Sequence, residues 1–136
     1  MNKSKFNSFL KNKTVALVGP ANYLSQFKFG KEINSKDIVV RINRGMELIK
    51  NNEIHLGNRT DVLYNCMVEH PDNGGVIDIN ELLKNKVKWI CTVPHSSFDG
   101  SKIYPFVHPK ANLIKLIKLN LKFNFHICDS KLLKNL

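Results

Sequence analysis

The sequence predicts an α/β fold of Rossmann-like type, a mostly parallel five-stranded sheet with flanking helices. Two patterns point to it. Five short, largely apolar, strand-like runs recur along the chain, near residues 14–18, 37–42, 61–66, 87–93 and 123–128. Segments with helical spacing lie between them. Strands that alternate with helices imply parallel pairing through right-handed crossovers. At 136 residues the chain fits one domain, spanning 1–136.

The elements follow in order. Residues 4–11 read as a short helix, with Ser4 as a cap and Phe6, Phe9 and Leu10 as its apolar stripe. The run from Thr14 to Val18 is continuously apolar and closes at Gly19-Pro20, the profile of a buried strand ended by a turn. The runs at 37–42 and 61–66 repeat that profile. A short helix is expected from Met46 to Asn52, and another around Ile79, Leu82 and Leu83 with Asp78 placed to cap it. The fourth run ends at Pro94. Residues 94–109 hold three of the five prolines and read as a long loop. A broad apolar helix follows over 113–121, then the fifth strand, then a tail at 131–136 that starts like a helix. In strand order, the first strand is expected at the centre, flanked by the second and fourth.

Composition narrows the function classes. The net charge is +10, but Lys carries most of it and Arg stands only at 41, 44 and 59. Base-reading surfaces rely on Arg and cluster their charge, so no nucleic-acid partner is expected. No apolar stretch reaches the roughly 20 residues of a membrane span, and Met1 to Phe6 holds no signal-peptide core. Cys66, Cys91 and Cys128 each lie in an apolar run without a C-x-x-C pair, which predicts free, buried thiols. Together these place the protein in the cytoplasm.

Three segments carry candidate chemistry. In Val18-Gly19-Pro20-Ala21-Asn22 the chain turns at a strand's carboxyl end. Gly19 there would let a phosphate approach the backbone, or simply make a tight turn. The segment is neither G-x-G-x-x-G nor a P-loop. In Val40-Arg41-Ile42-Asn43, Arg41 sits inside a buried strand and is expected to pair with an acid such as Asp37 or Asp61. Asn43, at the strand's carboxyl end, is expected to face a ligand, its amide donating to a phosphate oxygen. In Gly57-Asn58-Arg59-Thr60-Asp61, Gly57 reads as a turn, and Thr60 or Asp61 orients nearby backbone. The histidines are 55, 70, 95, 108 and 126. His70 and His95 read as surface residues after strand ends, His126 as a packed core residue, and none is assigned as a base. Glu69-His70 with Asp72 has no standard metal-ligand spacing.

Taken in order, Val18-Gly19-Pro20-Ala21-Asn22-Tyr23-Leu24, Phe29-Gly30-Lys31-Glu32-Ile33-Asn34-Ser35-Lys36-Asp37, Val40-Arg41-Ile42-Asn43 and Gly57-Asn58-Arg59-Thr60-Asp61 resemble the large sialylmotif. That motif belongs to the eukaryotic-type sialyltransferases, glycosyltransferase family 29, and their bacterial and viral relatives. The resemblance covers about residues 13–66. It implies a glycosyltransferase domain that binds a CMP-sugar donor, CMP-sialic acid, and transfers the sugar with inversion to a hydroxyl of a glycan or glycolipid acceptor. It implies no metal and no cofactor. It places the nucleotide-sugar site at Gly19, Ala21, Asn22 and Asn43, with Asn43 on the donor phosphate.

The sequence departs from the family pattern in places. Pro20 stands where animal members have an asparagine that contacts the phosphate, and Asn22 is the candidate substitute. Lys11-Asn12-Lys13 stands where animal members have a disulfide cysteine. The family's small sialylmotif and its later catalytic histidine have no counterpart in these residues. A donor-binding remnant without turnover is therefore the alternative, and a basic Rossmann-like module that binds nucleic acid is the alternative from another class.

Overall fold

The computed structural model describes residues 3–92 and 113–128. The elements are α1 (Lys3–Leu10), β1 (Val15–Val18), α2 (Gly30–Ser35), β2 (Ile38–Ile42), α3 (Glu53–Leu56), β3 (Val62–Tyr64), α4 (Ile79–Lys84), β4 (Trp89–Thr92), α5 (Leu113–Lys122) and β5 (Asn124–Ile127). Two 3₁₀ segments, Asn22–Gln26 and Asn43–Ile49, follow β1 and β2. All four strand pairings are parallel, so the α/β, Rossmann-like, five-stranded expectation holds. The expected loop at 94–109 and tail at 131–136 lie outside the described residues.

The strand order differs from the expectation. It runs β1-β2-β3-β4-β5, which puts β1 at an edge of this sheet and gives no reversal of order beside it. The reason lies in α1. With sequential order and right-handed crossovers, every connecting helix falls on one face of the sheet. The other face then needs a cover that no crossover can supply. Here α1 provides it. Phe6 is buried with Ile38, Val40, Val62, Trp89 and Cys91, and Phe9 and Leu10 pack against them. The Phe6 ring meets Trp89 at 5.0 Å and stacks on His126 at 4.5 Å, so His126 is a packed residue as expected. The crossover face holds the second cluster, with Leu63 and Ile90 from the sheet, Leu82 from α4 and Leu119 from α5.

Local chemistry explains the elements. Asp78 caps α4 by accepting from the N–H groups of Asn80 and Glu81 at 2.8 and 3.3 Å. Gly30 opens α2 because a Cβ there would lie 2.1 Å from the Glu53 carbonyl oxygen, so only glycine lets α2 and α3 approach. The expected helix at 46–52 becomes a 3₁₀ segment that starts at Asn43, followed by α3. Of the thiols, Cys91 is buried, while Cys66 and Cys128 are half-buried, and all three are free. Cys66 falls beyond β3, and Cys128 lies against the Tyr64 hydroxyl.

Asp61 ties the amino edge of the sheet together. Its Oδ2 accepts from the Val39 N–H at 2.9 Å and from Arg59 at 2.8 Å, and Oδ1 lies 3.0 Å from Lys88 Nζ. Burial alone would raise its pKa, but the Val39 N–H, Arg59 and Lys88 outweigh it and hold the carboxyl below its ordinary value. A carboxylate with a depressed pKa stabilises the fold above the unfolded pKa and loses that contribution as pH falls through the folded one. Asp61→Asn is therefore expected to cost about 1–3 kcal/mol at neutral pH. The gap between wild type and variant in urea unfolding should close as pH drops below about 4.

Candidate functional site

β1 and β2 are neighbours, and their carboxyl ends carry two of the residues singled out from sequence. Val18 pairs with Arg41, so Gly19 follows β1 beside Ile42 and Asn43. Gly45 lies over the same ends, with its Cβ direction 3.6 Å from the Val18 carbonyl oxygen. At Gly19 a Cβ would meet nothing within 4 Å, and the residue has no positive φ. Nothing among the described residues requires glycine there; the space in front of the backbone is open. Ala21 immediately precedes the Asn22–Gln26 segment, with extended backbone and partial burial. Asn22 begins that segment, and its side chain lies outside the described residues.

Asn43 shows how the fold aims a donor. Its φ is +50°, a left-handed conformation that Asn tolerates better than other side chains. Its Oδ1 accepts from the Cys66 N–H at 3.0 Å, which binds the end of β2 to the chain leaving β3. That bond fixes the orientation of the amide. The acceptor is used, and Nδ2, two N–H donors, makes no hydrogen bond among the described residues. A half-buried side chain therefore presents donors alone at a strand's carboxyl end.

Arg41 is held differently from the expectation. It is 0% exposed, and no acid pairs with it among the described residues. Nε donates to the Arg59 carbonyl at 3.1 Å and to Thr60 Oγ1 at 3.0 Å, and Nη2 donates to the Leu56 carbonyl at 2.8 Å. Nη1 is buried without a partner. Burial lowers the guanidinium pKa to about 10, so it stays charged at neutral pH. The expected acids are engaged elsewhere. Asp37 accepts from the Thr14 N–H and hydroxyl, and Asp61 is taken by Val39, Arg59 and Lys88. Arg41 thus pins the 56–60 loop beneath the site. Of Thr60 and Asp61, Asp61 holds nearby backbone, accepting from the Val39 N–H, whereas the Thr60 hydroxyl accepts from the Arg41 side chain; Gly57 turns with φ +68°.

A cleft of about 630 Å³ opens beside Asn43, between the Asn43–Ile49 segment and α4, with Leu63 and Asn65 lining it. Gly19 and Ala21 do not line it. The segment from Cys66 to Ile77 runs beside it and is held by five hydrogen bonds. Asn65 is 2% exposed and holds both the Met67 N–H and the Gly74 carbonyl at 2.7 Å. Arg44 Nη1 donates to the Pro71 carbonyl at 2.7 Å. Glu47 Oε1 accepts from the Val76 N–H at 2.7 Å, and Glu69 Oε1 accepts from the Ile77 N–H at 3.0 Å. Sequence reasoning passed over Asn65, Arg44 and Glu47. A buried Asn at a strand's end, next in chain to a Cys in an apolar run, was the one signal available. His70 lies on this segment, exposed and 3.6 Å from Asp72, and His55 Nδ1 is 2.9 Å from the Phe27 carbonyl oxygen. His95 and His108 lie outside the described residues. Among the described residues no group of three or more His, Cys, Asp or Glu is placed to hold a metal ion, and no helix is long and apolar enough to cross a membrane.

Comparison with known families gives a match. The sequence model described as Glycosyltransferase family 29 (sialyltransferase) covers residues 3–94, which takes in β1 to β4, Gly19, Asn43 and Arg41. The comparison with curated proteins finds no match.

Proposed function

The chain belongs to glycosyltransferase family 29, the sialyltransferases, and on that premise we propose that residues 1–136 form a domain binding a CMP-sugar donor, CMP-sialic acid, at the carboxyl edge of β1 and β2. The Asn43 amide carries this reading. Its acceptor is locked on the Cys66 N–H, and its two donors are left to meet an anion. Gly19 supplies unobstructed backbone for the phosphate, and Ala21 and Asn22 follow it at the start of the 3₁₀ segment. Arg41 adds a cation with no acid against it among the described residues, two residues before Asn43.

In the reaction this reading assigns, an acceptor hydroxyl of a glycan or glycolipid attacks the anomeric carbon of the donor. The bond from that carbon to the phosphate oxygen breaks, CMP leaves with the electron pair, and the configuration inverts. Charge grows on the phosphate as it leaves, and donors fixed beforehand stabilise it without a metal or cofactor. Gly19, Ala21, Asn22 and Asn43 bind and orient the donor; the group that takes the hydroxyl proton is not among them. The three free thiols support a reducing, cytoplasmic setting.

Titration calorimetry of this chain with CMP, and with UMP, AMP and GMP as comparators, tests the reading. CMP is expected to bind more tightly than the other three. Equal binding of all four nucleotides, or binding of polynucleotide alone, would overturn it. Turnover of the donor separates an active transferase from a binding remnant.

A further inference from the structure

α5 shows an apolar surface that its own packing does not explain. Leu119 is fully buried in the core cluster, which fixes the inward side of the helix. Ile117 and Leu121, each two residues from Leu119 and one turn from each other, lie on the outward side, 55% and 80% exposed. Lys118 and Lys122 each follow one of them and make no ion pair among the described residues. From Gly100 to Cys128 the sequence holds no acidic residue.

α4 lies on the same face of the sheet as α5. Leu82 of α4 and Leu119 of α5 share one core cluster, so both helices lie on the crossover face of the sheet. Each runs back toward the amino edge of the sheet before its next strand begins, so their last turns end at that edge together. There α4 leaves Leu83 46% exposed, followed by Lys84 and the exposed Lys86. Glu81 lies 3.6 Å from Lys84.

We propose that this α4–α5 surface docks the protein on an anionic lipid bilayer, with Leu83, Ile117 and Leu121 entering the headgroup–acyl boundary and Lys86, Lys118 and Lys122 meeting the lipid phosphates. Apolar and Lys residues interleaved on the outside of a helix match an interfacial helix. Lysines beside apolar side chains can lay their stems along them and keep the ammonium at the headgroups. The charge complements a lipid surface, and the lack of Arg in the patch counts against a nucleic acid. The apolar side chains project outward, which suits a deformable bilayer better than the flat face of an acidic protein.

Vesicle co-sedimentation of the whole chain, with no nucleotide present, tests the surface separately from the donor site. Vesicles of phosphatidylcholine alone are compared with vesicles containing about a third phosphatidylglycerol. Binding to the anionic vesicles only, weakened by added salt, is expected. The double variant Ile117→Ser/Leu121→Ser is expected to lower the partition coefficient roughly tenfold or more. Lys118→Glu/Lys122→Glu should abolish binding. Lys5→Glu/Lys11→Glu makes the same charge change on and just beyond α1, which covers the opposite face, and should leave most of it. Because all six positions are exposed, matching melting curves will show that the variants remain folded. Failure to bind anionic vesicles, equal loss from the α1-side and α5 charge variants, or unchanged partition of the serine variant would each overturn the proposal. So would retention on polynucleotide without retention on vesicles.

Discussion

Arg41→Ala is expected to lower the unfolding free energy by about 3–5 kcal/mol, while Arg41→Met costs about 1–2 kcal/mol. The difference follows from what holds the guanidinium. Its partners are the carbonyls of Leu56 and Arg59 and the hydroxyl of Thr60, all neutral. Alanine leaves a cavity under the 56–60 loop and removes the donors from these acceptors together. Methionine refills most of the volume and also removes a cation that burial already disfavours. Carbonyls that lose one partner are tolerated better than orphaned N–H groups, and the Thr60 hydroxyl can rotate. Had an acid faced Arg41, methionine would be as damaging as alanine, because either would leave a buried carboxylate unpaired. Urea unfolding of the two variants decides between these. Equal losses would mean that an acid partners Arg41 after all.

That distinction also shows what the sequence made legible. The buried position of Arg41 was readable, because a charged residue stood inside an apolar strand run. Its partners were not. Asp61 lies on the same face of the sheet one pleat before Leu63, but Arg59 and Lys88 reach it from its own strand's start and from β4's. Which cation wins a given acid depends on tertiary geometry that spacing does not encode. Strand positions were legible to within a residue or two, since apolar runs bounded by turns define them locally. Strand order was not, because Val15 to Val18 reads the same at an edge as at the centre. Leu17 is 69% exposed in a run that pattern alone would bury. α2 went unpredicted for a similar reason. It is six residues long, starts on a glycine and holds its place through contact with α3. At the site, the position of Asn43 at a strand's end was visible in sequence. The bond that orients it comes from Cys66, 23 residues later.

Asn43→Asp is expected to weaken CMP binding by about a hundredfold or more while leaving the protein folded. Aspartate tolerates the left-handed backbone that Asn43 adopts, and one of its oxygens can still accept from the Cys66 N–H. The link between β2 and the chain after β3 therefore survives. What changes is the outward group: two N–H donors become a negatively charged oxygen, which in the proposed site would face the donor phosphate. The lost bond to a charged group is worth about 1.5–3 kcal/mol, and like-charge repulsion adds to it. At about 1.4 kcal/mol per decade, the bond alone gives roughly ten- to hundredfold and the repulsion carries it further. Asn43→Ala serves as the contrast. It loses the Cys66 bond and strains the backbone as well, so it should lower both affinity and melting temperature. Arg41→Met, folded and with Asn43 intact, should lose less affinity than either. Calorimetry with CMP on the three variants, paired with melting curves, separates donor recognition from scaffolding. A folded Asn43→Asp protein that binds CMP as wild type does would remove Asn43 from the donor site.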